Sequence, residues 1–150
     1  MKCIVSDTIG FLSKTFPKIY SSLYLEYLKQ YSAIYDVNKT QLRALIFIKN
    51  YGDISMTDLC AFLNIEKGSL TSMVDDLTEK GYVIRTKDLS DKRKYIISIT
   101  EKGTILASDF MDKLSNKLEE KFLKLDEEDQ NRYIEAINTL QYILNKEEFN

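Results

Sequence analysis

Histidine is absent from this chain of 150 residues. It is the commonest general base and the commonest metal ligand in proteins, so its absence disfavours catalysis and zinc sensing. The five glycines are scattered and form no glycine-rich phosphate loop. The two cysteines, Cys3 and Cys60, are too few for a disulfide framework and match no zinc-binding spacing. The sequence therefore predicts neither an enzyme nor a metal or cofactor site.

Long apolar runs are also lacking. No run approaches the roughly 20 apolar residues that cross a bilayer. Polar residues at Ser6 and Asp7 come too early for the apolar core of a signal peptide. The apolar fraction of 44% suits a folded chain, and the length suits one domain over residues 1–150. We therefore expect a cytoplasmic protein with no membrane partner.

Charge is unevenly distributed along the chain, although the net charge is only −2. Residues 38–103 carry eleven Lys and Arg against nine Asp and Glu, a net +2. Residues 104–150 carry six against eleven, a net −5. The acidity therefore lies at the C-terminal end, and the mildly basic central segment permits DNA binding without requiring it.

Residues 8–35 are predicted to form one long helix, because apolar residues recur at steps of three and four. Pro17 lies inside this pattern, so the helix should either kink or begin there, and the apolar spacing upstream of Pro17 favours a kink. A second row of the helix consists of tyrosines, namely Tyr20, Tyr24, Tyr27 and Tyr31. Tyrosine offers an aromatic surface with a polar tip, so this row is a candidate lining for an aromatic effector pocket. The alternative, which helical spacing favours, is packing in the core or against a second subunit.

The central segment predicts a helix-turn-helix. Asn38 and Gln41 form a capping pair for a helix that ends near Asn50, and Ser55 caps the next helix. Asn64 opens a short turn, after which a further helix runs from about Lys67 to Lys80. Two β-rich runs, residues 82–87 and 95–99, then predict a hairpin, and two long helices follow. The fold class is therefore mainly α with a small β-hairpin wing, a winged helix-turn-helix with long N- and C-terminal helices.

Two groups of residues are candidates for DNA contact. The helix from Lys67 directs small hydroxyl side chains away from its apolar stripe, and the hairpin tip is basic. The candidates are Lys67, Ser69, Thr71, Ser72, Arg85, Lys87, Asp91, Lys92, Arg93 and Lys94. Asp91 is included because its carboxylate can support the guanidinium of Arg93. Each group alone has a simpler interpretation, an ordinary exposed helix face or a solvated turn; their succession makes the pattern specific.

The chain resembles the MarR-type (multiple-antibiotic-resistance regulator) winged-helix family. The matching motifs are Val37-Asn38-x-x-Gln41, Leu59-x-x-x-Leu63-x-Ile65, Leu77-x-x-Lys80-Gly81-Tyr82-Val83-x-Arg85, Asp88-x-x-Asp91-x-Arg93 and Ile99-Thr100-x-x-Gly103. The resemblance implies a homodimer joined by helices in residues 1–37 and 104–150, with residues 38–103 as the DNA-binding lobe. It also implies recognition helices in successive major grooves, wings toward the minor groove, and a pseudo-palindromic operator. Family members commonly repress genes and release DNA on binding small phenolic or lipophilic ligands.

By the same resemblance, Ser69, Thr71 and Ser72 lie at base-reading positions, and Arg93 is the wing-tip arginine. Leu89 replaces a frequent proline, which predicts a less rigid wing. Ser72 and Asp76 replace frequent basic residues, which predicts weaker DNA binding with a gentler salt dependence.

Two alternatives stay open at this point. One is a winged-helix protein-interaction module without sequence-specific DNA binding, which the acidic pI allows. The other is a cysteine-based redox-sensing repressor. Cys3 is predicted to be exposed and upstream of the first helix, and Cys60 to be an inert thiol on an inward stripe, so neither residue favours the redox alternative.

Overall fold

The computed structural model describes residues 2–147, without the side chain of Lys2. These residues form two compact units, one ending at Leu114 and the other beginning at Ser115. The helices are α1 (Lys2–Gly10), α2 (Phe16–Tyr20), α3 (Glu26–Ser32), α4 (Lys39–Tyr51), α5 (Met56–Leu63), α6 (Lys67–Glu79), α7 (Glu101–Phe122) and α8 (Glu127–Leu144). The strands are β1 (Ile54–Ser55), β2 (Val83–Lys87) and β3 (Tyr95–Ile99). None of the helices within residues 2–147 is both long and apolar enough to cross a membrane.

The first helices follow one another without a break and form what we call the N-terminal helix, α1 to α3. Two π-helical turns, Phe11–Thr15 and Ser21–Leu25, join them. The predicted start near Thr8 is wrong, because the helix already begins at Lys2. Its apolar spacing continues upstream of Thr8. The chain stays helical through Pro17, directly after the first π-helical turn. Prolines and π turns are both places where helices bend.

The capping predictions for the central helices are confirmed. The Asn38 side chain accepts from the Gln41 backbone N–H at 2.9 Å, and Gln41 Oε1 accepts from the Asn38 N–H at 2.8 Å. Ser55 Oγ accepts from the backbone N–H of Asp58 at 3.1 Å. Asn64 takes the left-handed conformation at φ +52°, which turns the chain from α5 into α6.

The sheet has three antiparallel strands in the order β1-β3-β2. The hairpin of β2 and β3 was predicted, and its register pairs Val83 with Ile99 and Lys87 with Tyr95. Strand β1 was not predicted. Its two residues are too few to show a period-two pattern, and it forms only because Ile54 pairs with Ile97 of the distant β3.

The core of the first unit includes the predicted inward face of α6. The buried residues of that face are Leu70, Met73, Val74 and Leu77. The predicted stripe of α5 is half wrong, because Leu59 and Leu63 are buried while Met56 and Cys60 are only half-buried.

One predicted core position on α7 is wrong. Ile105 is 63% exposed, and Leu106 is buried in its place. Leu106 lies four residues before the buried Phe110, on the same helix face, whereas Ile105 lies five before it. The predicted and the observed core residues are therefore neighbours in the sequence, and the error is a shift of one residue along the helix.

The second unit, described by itself, contains the end of α7 and the whole of α8. Asp126 caps α8 as predicted, since its carboxylate accepts from the Asp129 N–H at 2.8 Å. The Phe122 and Tyr133 rings lie 4.7 Å apart. No residue of α8 is buried in this chain, so its predicted apolar stripe is covered only in part.

Candidate nucleic-acid interface

The face of α6 that points away from the core carries small hydroxyl groups. Lys67, Ser69 and Ser72 are exposed, and Thr71 is half-buried. The Thr71 hydroxyl donates to the Lys67 carbonyl at 3.0 Å, and that of Ser72 to the Gly68 carbonyl at 3.3 Å. Each of these hydroxyl protons is used inside the helix, so the oxygen lone pairs remain to accept hydrogen bonds from a ligand. The small side chains also permit a close approach of the helix to a partner.

The first turn of α6 offers backbone donors as well. Its N-cap, Glu66, makes no side-chain capping hydrogen bond to that turn. The N–H groups at a helix start attract anions, phosphate groups included. The beginning of α6 therefore combines a cation at Lys67, backbone donors and small hydroxyl groups.

Two of the acids on α6 are paired, which sequence reasoning missed. Asp75 forms an ion pair with Arg85 at 3.0 Å. Asp76 forms one with Lys80 at 3.0 Å and also accepts from the Gln41 amide. The hydrogen bond from Lys80 lowers the pKa of Asp76, and the bond from Gln41 lowers it further. Part of the negative charge on α6 is thus neutralised by cations of the same lobe.

Arg85 is held inside the lobe. Besides its pair with Asp75, its guanidinium lies over the Tyr95 ring, 4.4 Å from the centroid. The structure thus places Arg85 between α6 and the sheet rather than at the hairpin tip. Contact of Arg85 with DNA stays a prediction. Residue spacing does not indicate the pair of Arg85 with Asp75, because its partners are ten residues apart and in different elements.

The hairpin tip is organised by Asp88. Its Oδ1 accepts from the backbone N–H groups of Ser90 at 2.6 Å and of Asp91 at 3.0 Å. The Asp88 N–H in turn donates to the Lys94 carbonyl at 3.0 Å. An aspartate that binds the next backbone donors forms a compact turn. The tip therefore has its own fixed bonds, and the Leu89 side chain beside them is fully exposed.

Arg93 projects from this tip into solvent, with 91% of its side chain exposed. Its Nε donates to Asp91 Oδ1 at 3.2 Å, and its backbone N–H donates to the same oxygen at 3.1 Å. Asp91 thus makes the predicted contact with the arginine. The neighbouring basic residues Lys92 and Lys94 are exposed too, as is Lys87 on β2.

We expect the hairpin tip to keep its order in mildly acidic solution. The Ser90 hydroxyl and the backbone donors of Asp91 and Ser90 lower the pKa of Asp88 below its ordinary value of 3.8. A lowered pKa contributes stability above pH 3.8 that is lost as the pH falls through the lower folded-state value. The backbone amide NMR shifts of Ser90 and Asp91 should hold down to about pH 4 and move only in stronger acid. Asp88→Asn should perturb them at neutral pH, and an unchanged spectrum would contradict this role.

The cysteines differ from their predicted settings. Cys3 is exposed as expected, but it lies inside α1 rather than upstream of the first helix, and its thiol donates to Asp7 Oδ2 at 3.1 Å. Cys60 is half-buried, and its thiol donates to the Ile65 carbonyl at 2.8 Å, in the turn before α6. Cys60 therefore contacts the turn of the helix-turn-helix.

The tyrosine row of the N-terminal helix packs against α7. The rings of Tyr24 and Tyr31 meet the Phe110 ring edge-on, at centroid distances of 6.3 and 6.0 Å. Burial raises the pKa of the Tyr24 hydroxyl. Tyr20 and Tyr27 are half-buried. Packing, the alternative that spacing favoured, thus accounts for Tyr24 and Tyr31, and the effector pocket stays a prediction.

A helix-turn-helix followed by an antiparallel hairpin with a basic tip defines the winged-helix class of proteins. The sequence model of the MarR family matches residues 37–95, which span α4 to the start of β3. The transcriptional regulator SarZ of Staphylococcus saprophyticus is 32% identical over 123 residues, covering 82% of this chain and 78% of SarZ. The chain belongs to the MarR family of transcriptional regulators. The family consists of regulators rather than enzymes.

Solved structures have the same fold. A MarR family protein from Bacillus stearothermophilus superposes with a TM-score of 0.79 at 20% identity, over 94% of this chain and 98% of that one. NadR in complex with 4-hydroxyphenylacetate superposes with a TM-score of 0.69 at 18% identity, over 86% of this chain and 91% of NadR. At these identities the superpositions establish the winged-helix fold.

Proposed function

We propose that this MarR-family protein is a homodimeric repressor that acts in the cytoplasm. It binds double-stranded DNA at a pseudo-palindromic operator and is released by a small-molecule effector. The observation that carries the proposal is the hydroxyl-rich face of α6 together with the exposed Arg93, two reading elements in one lobe. MarR-family membership supports the same conclusion.

Each group of residues in the proposed interface contacts a different part of the DNA, according to its chemistry. Ser69, Thr71 and Ser72 are small enough for α6 to enter a major groove, where hydroxyl groups bond base edges. Lys67 and the first-turn N–H groups bind a phosphate beside that groove. Arg93 enters the adjacent minor groove, where the negative potential is concentrated. The exposed lysines Lys87, Lys92 and Lys94 contact phosphates on either side of the wing.

The exposed apolar residues of the N-terminal helix support dimerisation. Five of them are between 47% and 71% exposed in the single chain, namely Ile4, Val5, Ile9, Leu12 and Phe16. A run of such residues on one helix marks a protein–protein contact. Helix α8 also exposes apolar residues, which are Ile134, Leu140, Tyr142, Ile143 and Leu144. A second copy of the chain would cover both groups and place two α6 helices about one DNA turn apart.

The effector we propose is a small aromatic or lipophilic molecule. NadR, a relative in fold, has been solved with 4-hydroxyphenylacetate. The tyrosine row Tyr20, Tyr24, Tyr27 and Tyr31 offers aromatic surfaces of the kind such a ligand contacts. Release follows if the ligand binds better to a dimer whose lobes no longer fit the half-sites.

Selection of DNA sites from a random pool by the full chain tests the proposal. An enriched palindrome with half-sites about one helical turn apart supports the dimeric repressor. No enrichment supports the interaction module instead. Aromatic carboxylic acids, 4-hydroxyphenylacetate among them, are the first class to titrate into the resulting protein–DNA complex.

We expect Arg93→Ala to weaken binding to the selected operator by about tenfold, because it removes a charged contact in the minor groove. The slope of log affinity against log salt should become shallower by about two units, because the proposed dimer carries two copies of Arg93. Gel shifts across a salt series measure both quantities. Arg132→Ala is the matched control, because Arg132 is an exposed arginine of the second unit. Equal effects of the two variants would remove the wing from the interface.

A further inference from the structure

Gln41 is a buried polar residue at the start of α4, with only 4% of its surface exposed. Its Oε1 accepts from the Asn38 N–H at 2.8 Å, which completes the cap of α4. Its Nε2 donates to the carboxylate of Asp76 in the second half of α6. The Gln41 side chain thus caps α4 and is hydrogen-bonded to α6. A buried amide satisfied at both ends fixes its neighbours more closely than apolar packing does.

Asp76 extends this contact to the end of the N-terminal helix. Lys80 Nζ lies 3.0 Å from Asp76 Oδ2 and donates to the Asp36 carbonyl at 2.9 Å. Asp36 takes a left-handed conformation, φ +52°, in the turn after the N-terminal helix. We call Asp36, Gln41, Asp76 and Lys80 the Gln41 cluster. It connects the end of the N-terminal helix, the start of α4 and the last turn of α6.

The same turn has a separate attachment to α7. The Tyr35 hydroxyl donates to Asp109 and accepts from Lys113 Nζ at 3.1 Å. The Tyr82 hydroxyl donates to the Tyr35 carbonyl at 3.3 Å. Loss of the Gln41 cluster therefore leaves the turn attached to α7, and it removes the side-chain contacts that Asp76 and Lys80 make from the end of α6 to α4 and to that turn.

We propose that Gln41, Asp76 and Lys80 are positioning residues that determine the half-site spacing this regulator accepts. The inference rests on the proposed dimeric function, in which the N-terminal helices join the two copies. The cluster fixes α6 against the end of its own N-terminal helix. Across the dimer it thereby fixes the separation of the two α6 helices, which the spacing of the half-sites must match.

The charge of Asp76 supports this role. An acid on a recognition helix weakens the attraction to phosphate groups. Here the carboxylate is occupied by Gln41 and Lys80, so its charge serves a contact within the lobe. Hydrogen bonds weaken over a few tenths of an ångström, whereas adjacent base pairs lie about 3.4 Å apart. An intact cluster therefore resists the shift that one extra base pair would require.

The Asp76→Ala variant tests the proposal. Affinities are measured for the selected operator and for versions with one base pair inserted or deleted at its centre. The wild type should prefer the selected spacing, and Asp76→Ala should reduce that preference by about tenfold, the size of one mismatched position. Glu79→Ala is the matched control, because it removes one negative charge from an exposed position on the same helix. It should strengthen binding to all the spacings alike and leave the preference unchanged.

The outcomes distinguish a failure of the proposed function from a failure of the positioning role. If the wild type selects no DNA, the proposed function fails. If the wild type prefers one spacing and Asp76→Ala keeps that preference, the positioning role alone is overturned. Circular dichroism checks that the variant folds. If it does not, Lys80→Met replaces it, since methionine keeps much of the side-chain volume and removes the contacts to Asp76 and to the Asp36 carbonyl. An unchanged preference in that variant also overturns the proposal.

Discussion

Gly103→Ala should lower the free energy of unfolding by about 3 kcal/mol, even though alanine favours helix by about 1 kcal/mol over glycine. A Cβ built on Gly103 would overlap the Tyr82 carbonyl oxygen and lie 2.8 Å from Ile99 Cγ1. The Tyr82 carbonyl is part of the backbone and already accepts from the Thr100 N–H at 3.0 Å. It cannot retreat without breaking the contact that starts α7. Chemical denaturation of the two proteins measures the difference.

Gly10→Ala is the control for this substitution. Gly10 also lies in a helix, and a Cβ there would meet no atom within 4 Å. We expect this variant to be as stable as the wild type, or more stable by up to about 1 kcal/mol. Should Gly103→Ala prove equally harmless, the close approach of α7 to Tyr82 is not a packing constraint.

The second large effect should come from the proposed dimer contact. Replacing Ile9 and Leu12 together by glutamine removes two exposed apolar side chains from each copy without changing charge. If each burial contributes about 1 kcal/mol, the four losses across a twofold axis weaken the dimer by about 1000-fold. Operator affinity should fall by a factor of about 100 or more, because the two lobes then bind separately. Sedimentation velocity and gel shifts measure the two quantities.

Ile84→Gln is the control for the dimer variant. Ile84 lies on β2 and is 50% exposed, similar to Leu12 at 57%. It belongs to the wing sheet, so its replacement should leave the sedimentation coefficient unchanged. A dimer that survives the Ile9 and Leu12 changes would place the subunit contact elsewhere.

Local signals in the sequence predicted the elements that position the interface. Asn38 with Gln41, Ser55 and Asn64 each act within a few residues, so helix caps and turns were readable from spacing alone. The apolar stripe of α6 fixed its inward face and therefore also its hydroxyl face. The basic hairpin tip with Asp91 beside Arg93 was predicted in the same way.

Contacts between distant residues were not readable. Strand β1 depends on pairing with β3, and the partners of Asp75 and Asp76 lie on other elements. The sequence argued for weak DNA binding because Ser72 and Asp76 stand where the family resemblance implies basic residues. The structure shows that the Asp76 carboxylate binds Gln41 and Lys80 within the same lobe. The predicted core position of Ile105 was wrong for a different reason. A shift of one residue rotates a position on a helix by about 100°, which is enough to exchange a buried position for an exposed one.

Arg85 lies between Asp75 and the Tyr95 ring and so fastens the hairpin to α6. On the proposed operator, we therefore expect a groove that is narrower or wider at the wing to displace α6 as well. Substitutions in the flanking steps and in the half-site core will then change the binding energy by amounts that do not simply add, as is usual for coupled positions. A description of the operator that treats each base as independent will misrank its natural variants.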